Sequence, residues 1–209
     1  MDTFLTIASA SEGIFKDKGS KFLSFAYPVG NGDEVKEKID FLRKKYFDAS
    51  HHCFAYRIGV DGERYRAGDD GEPTNSAGKP ILGQLIFYNV TNVLLVVVRY
   101  FGGTLLGVGG LVQAYKQAAA AALTNAEIIE DMITESYQIK FGYSSMNHVL
   151  KIVKDLNLEC LEKTFDIECT INVKVRQSRV EEMKKRLEGT SNSSTKSIYR
   201  VGYTRNKIK

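Results

Sequence analysis

Between Val93 and Tyr115 the chain runs Val-Leu-Leu-Val-Val-Val-Arg-Tyr-Phe-Gly-Gly-Thr-Leu-Leu-Gly-Val-Gly-Gly-Leu-Val-Gln-Ala-Tyr. The six apolar residues Val93–Val98 show no alternation, which predicts a strand buried on both faces. Such a strand, passing through a glycine-rich loop into an alanine-rich helix, aims unsatisfied N–H groups at one spot, where anions bind. Arg99 stands at the mouth of that spot and would add a planar charge. A core needs only the strand and the helix, whereas Gly102, Gly103, Gly107, Gly109 and Gly110 ask for something more.

At 209 residues the chain fits one large domain or two small ones. Its formal charge of +4 is unevenly placed. Residues 1–134 carry 14 Lys and Arg against 16 Asp and Glu, and residues 135–209 carry 15 against 9. That asymmetry favours an anionic partner for the second part. Cys53, Cys160 and Cys169 are scattered without C-x-x-C spacing, which argues against a disulfide framework or zinc ribbon and for a reducing compartment. No signal peptide is evident and no apolar run approaches the roughly 20 residues that span a bilayer. A cytoplasmic protein with no membrane partner is expected.

Strands are predicted over residues 21–29, 53–60 and 93–98, with Asp61-Gly62 as a hairpin turn into Arg64–Arg66. Asn31 should cap a helix whose apolar positions are Val35, Ile39, Leu42 and Tyr46. Further helices are predicted from about Lys79 to Tyr88 and from about Gly110 to Asn125, with a polar loop from Gly68 to Gly78 before the first of these. From Ser136 onward the order changes to strand 136–141, helix 145–156, paired strands 158–165 and 168–175, helix 179–188 and a last strand 194–199. This is βαββαβ, the ferredoxin-like split unit. Two domains are expected, 1–134 and 135–209.

Neither nucleotide fingerprint is present: Lys79 is followed by Pro80, and Val112 occupies the third glycine position after Gly107 and Gly109. Asp69, Asp70 and Glu72 could hold Mg²⁺, or could be a solvated turn. In His51-His52-Cys53 strand geometry puts His51 and Cys53 on one face and His52 on the other, so a structural cysteine with an orienting histidine is favoured over a metal or nucleophile site. Arg99 with Tyr100 and Phe101 suits phosphate and stacked bases. Alternatively, an aromatic of this pair enters the core and Arg99 pairs with Asp70 or Glu72.

The segments Gly19–Leu23, His51–Gly59, Asp69–Pro73, Ser76–Leu82, Arg99–Gly103 and Gly107–Tyr115, in this order, resemble the IMPACT family, and most of all its bacterial YigZ-type branch. The resemblance implies an α+β fold: a two-layer first domain like the second domain of ribosomal protein S5, then a ferredoxin-like domain like the last of elongation factor G. Asn75, Leu105 and Gln113 depart from the family's usual glycine, lysine and arginine. The implied function is translation-linked regulation by binding RNA or a ribosome-associated surface. Arg99, Tyr100, Gly102, Gly103, Gly107, Gly109, Gly110, Ser76, Gly78 and Lys79 would form a phosphate site, with His51, His52 and Lys21 as accessory positions. The alternatives are a metal-assisted hydrolase or transferase using Asp69, Asp70 and Glu72 with Mg²⁺, and a protein–protein adaptor anchored on Tyr100 and Phe101. No catalytic residue and no obligatory cofactor are assigned.

Overall fold

The structure, a computed structural model, describes residues 2–166 and 169–188. The described residues divide into two compact units, one of Phe4–Asp131 and one of residues 132–188 with residues 2–3. Each is an α+β arrangement of helices on a mainly antiparallel sheet.

In chain order the first unit contains β1 (Thr3–Ile7), β2 (Ser11–Asp17), β3 (Ser20–Pro28), α1 (Gly32–Lys45), β4 (His51–Ile58), β5 (Arg64–Gly68), α2 (Gly78–Phe87), β6 (Val93–Tyr100), α3 (Gly107–Thr124) and β7 (Ile128–Met132). Five strands form one sheet in the order β2-β3-β6-β4-β5, every neighbouring pair antiparallel. β1 and β7 make a separate two-stranded sheet.

Central β6 explains its own sequence. Val93, Leu95 and Val97 pack with Ile81 and Leu85 of α2 and Ala118 and Ala122 of α3. Leu94, Val96 and Val98 pack on the other side with Val35, Ile39 and Leu42 of α1. Both faces are covered, so both sets of alternate positions must be apolar. Each fully buried leucine here contributes about 1.5–3 kcal/mol. The helix α1 is thus a third layer beyond the two implied by the resemblance. It is capped as its sequence predicts: Asn31 Oδ1 accepts the Glu34 N–H at 2.9 Å, and the Glu34 carboxylate accepts the Gly30 N–H at 2.9 Å.

The strands β1, β2 and β7 are additional to the sequence expectation. β2 is an edge strand with charged residues among its apolar ones, a weak signal by itself. Its Gly13 lies against α3 so closely that a Cβ would stand 2.5 Å from the Ala122 nitrogen. The alanine run of α3 and the glycine of β2 are two sides of one close contact.

The second unit contains β8 (Thr134–Phe141), α4 (Met146–Asp155), β9 (Glu159–Phe165), β10 (Cys169–Arg176) and α5 (Val180–Glu188). The sheet order β8-β10-β9 is antiparallel throughout, as the split βαβ unit requires. Tyr137, Ile139, Phe141, Ile171, Val173 and Val175 meet Val149 and Ile152 of α4 and Met183 and Leu187 of α5. The expected strand 194–199 lies outside the described residues. Among the described residues no helix is long and apolar enough to cross a membrane.

Candidate functional site

Arg99 continues the row Val93, Leu95, Val97 onto the face covered by α2 and α3. Its cross-strand neighbours on that face are Phe22 of β3 and His51 of β4. The residue is 5% exposed. Its guanidinium lies 5.4 Å from the Phe22 ring centroid and 5.6 Å from that of Phe101, a cation–π setting on both. Nη1 donates to Glu72 Oε1 at 2.5 Å. Nε is buried without a partner, and Nη2 makes no hydrogen bond among the described residues.

Glu72 is held by two hydrogen bonds on one oxygen, with His51 close by. The same Oε1 accepts the Tyr115 hydroxyl at 2.8 Å, and His51 Nε2 stands 3.8 Å away. His51 Nδ1 is 2.8 Å from the Asp70 carbonyl oxygen, which can only accept, so Nδ1 carries the hydrogen and Nε2 turns toward Glu72. Below this layer the Cys53 S–H donates to the Asp69 carbonyl at 2.9 Å, and the Tyr115 hydroxyl lies 3.3 Å from the sulfur. Burial pushes the Cys53 thiol and the Tyr115 phenol well above their ordinary values. Burial thus favours the neutral form of both, and the buried Cys53 is held as a structural thiol by Asp69.

Above Arg99 opens a pocket of about 530 Å³. Ser50, His51, Glu72 and Arg99 are its polar part, and Phe101, Leu105, Leu106, Val108 and Leu111 its apolar walls. Gly107 and Val108 bring the first turn of α3 to the rim. The helix begins three residues earlier than predicted, so Gly107, Gly109 and Gly110 belong to it and not to a loop. Its start has no side-chain cap and no acidic residue, and the first-turn N–H groups find no acceptor among the described residues. An uncapped helix start beside a buried, incompletely paired guanidinium favours an anion.

The acidic loop divides its carboxylates. Asp69 accepts the N–H groups of Asn75 (2.9 Å), Ala77 (3.1 Å) and Gly78 (2.8 Å), thereby capping α2 from eight residues upstream. Asp70 pairs with Arg43 at 2.7 Å and accepts the His52 N–H at 2.7 Å. Glu72 takes Arg99. Three acids facing three different partners do not compose the Mg²⁺ site considered from sequence, and among the described residues no group of three or more acidic, His or Cys side chains suits a metal. Asn75 has φ of 63°, a conformation asparagine tolerates better than other side-chain-bearing residues, which accounts for its standing where the family has glycine.

The other expected positions scatter. Tyr100 points to the opposite face of β6 and donates to Asp48 at 2.8 Å. Lys21, paired with Tyr100 in register, shares that face. His52 packs against α1, while His51 alone reaches the pocket. Lys79 is exposed at the start of α2 and Ser76 is buried, donating to the Pro73 carbonyl at 2.6 Å. Gly102 and Gly78 serve close approaches: a Cβ would fall 1.9 Å from Gly19 at the first and 2.7 Å from Gly68 at the second. Gly103 (φ 83°) and Gly107 (φ 70°) supply turns. Gly109 has neither a positive φ nor a neighbour within 4 Å of its missing Cβ. Of the two acids that the sequence offers to Arg99, Glu72 is the partner and Asp70 is not; Leu106, Leu111 and Tyr115 carry no local signal beyond helical spacing.

Residues 18–123 match the Impact N-terminal domain. The chain belongs to the IMPACT family. IMPACT family member YvyE of Bacillus subtilis is 34% identical over 71% of this chain and 69% of its own length. IMPACT family member YigZ of Escherichia coli is 28% identical over 93% and 96%. A crystal structure described as that of a hypothetical protein superposes with a TM-score of 0.73, at 27% identity, over 96% of this chain and 97% of its own. The protein called Yih1, described as a two-domain translational regulator, is 27% identical over 58% of this chain and 47% of its own, with a TM-score of 0.36. Within the family, the matched segment contains all the pocket residues.

Proposed function

We propose that this IMPACT family protein is a translation-linked regulator that binds RNA or a ribosome-associated surface through the Arg99 pocket. The observation that carries the reading is Arg99 itself: one guanidinium N–H is spent on Glu72, Nε has no partner, and the pocket that Arg99 lines also takes in the uncapped start of α3. An anionic ligand rich in hydrogen-bonding groups, such as RNA, is the partner that both features favour. The excess positive charge after residue 134 adds sequence-independent attraction. The family resemblance to RNA-handling domains of the translation apparatus supplies the biological setting.

The test is cosedimentation with purified ribosomes and with RNA across a salt series, using the full chain and its Val108→Glu variant. Val108 is exposed and lines the pocket in the first turn of α3, so the new carboxylate suits the helix dipole and competes with an incoming anion. Binding should fall steeply with salt and be weakened in the variant. Affinity unchanged between low and physiological salt overturns the reading. Exposed Leu105 and Val108 favour a protein partner as the second reading, which predicts copurification that survives nuclease treatment.

A further inference from the structure

A protein that only grips nucleic-acid backbone presents cations on an exposed, convex surface. Here the cation of the site is at the bottom of a cavity and 5% exposed, so an outer phosphate cannot reach it. Whatever meets Arg99 has to enter. At about 530 Å³ the pocket lies in the range of small-molecule sites, ~300–1,000 Å³.

The lining has three zones at different heights. At the rim, the uncapped first turn of α3 suits a phosphate, and Gly107, whose missing Cβ has no neighbour within 4 Å, leaves the backbone open to close approach. The walls are apolar and offer flat or broad surfaces: Phe101, Leu106 and Leu105, the last 83% exposed though nothing in the unit needs it outside. At the floor a donor and an acceptor lie side by side, the Arg99 Nη2 group and Glu72 Oε2, neither hydrogen-bonded among the described residues. Anion, planar apolar body and an edge with adjacent donor and acceptor are the three parts of a nucleotide, in the same order.

Resting on the RNA reading above, we infer that the pocket admits one whole unpaired nucleotide: its phosphate at the α3 start, its base between the apolar walls, its edge on Arg99 and Glu72. The consequence is selectivity for single-stranded or flipped-out nucleotides over duplex, whose bases are stacked away and cannot enter.

The test is fluorescence anisotropy of the full chain at low salt with a labelled single-stranded RNA oligonucleotide and a fully paired duplex of the same sequence. Nucleoside monophosphates and inorganic phosphate serve as competitors. The single strand should bind at least about tenfold more tightly than the duplex, and monophosphates should displace it where inorganic phosphate at equal concentration does not. Val108→Glu should weaken the oligonucleotide and the monophosphates alike by about tenfold, and Leu105→Ser, a surface change, should weaken the monophosphates without altering the folding midpoint. Equal binding of both RNAs with no displacement by monophosphates overturns the inference and leaves the RNA reading standing. Failure of both RNAs to bind at low salt overturns both.

Discussion

Arg99 and Glu72, 27 positions apart, are joined by a 2.5 Å hydrogen bond between side chains that are 6% and 4% exposed. So deep a pair is costly to desolvate, and it persists because the two rings beside Arg99, together with the Tyr115 hydroxyl on Glu72, supply further contacts. Breaking it from one side should therefore hurt more than removing it whole. Glu72→Ala is expected to lose about 3–5 kcal/mol. Adding Arg99→Met to that variant should recover part of the loss. A double-mutant cycle in urea measures the coupling; strictly additive losses would show that the pair is not coupled.

The glycines separate by what their missing Cβ would meet. Gly102→Ala forces a methyl into the Gly19 backbone and should cost about 1–3 kcal/mol or more. Gly109→Ala meets open space at a helical φ and should gain about 0.5–1 kcal/mol. Thermal or denaturant midpoints of the two variants should move in opposite directions.

Cys53 should be silent toward a thiol reagent in the native protein. Burial raises its pKa, so the thiol stays protonated through the neutral range and the fraction of reactive thiolate is vanishing. Cys169 is also buried, whereas Cys160 is partly accessible. One fast-reacting thiol per chain is expected at pH 8, abolished by Cys160→Ser, with three in denaturant.

Burial lowers the pKa of His52, with Asp70 opposing and Arg43 reinforcing the shift. The unfolded chain therefore takes up a proton that folded His52 resists. The contribution to stability is complete above about pH 6.5 and is lost as pH falls below it. The melting temperature of the parent should fall more between pH 7 and pH 5.5 than that of His52→Gln. Parallel profiles for the two would count against the assignment.

Much of this is legible in the sequence. The unbroken apolar run of β6, the Asn31 cap and the alternation that separates His51 from His52 are local signals, and each has a local cause. What was not legible depends on distant chain. The sheet edge β2 is defined by where Gly13 meets α3, and Gly102 and Gly78 are small because of Gly19 and Gly68, which no window around them contains. Arg99 and Tyr100 are adjacent in sequence, but the strand's period of two sends them to opposite faces and so to different sites. The resemblance supplied the family, but the division of labour among its glycines and acids required the packing.

Asp69 fastens the end of β5 to the start of α2 by three N–H groups, so the nine residues that follow it form a closed ring. Glu72 is mounted inside that ring, and Asp70 ties the near side of it to Arg43 and His52. Letting go of Asp69 would free the helix start while Asp70 and Glu72 keep their own partners, so the far side of the ring can loosen with the floor of the pocket in place. Amide hydrogens of Asn75, Ala77 and Gly78 should thus exchange with solvent at one shared rate.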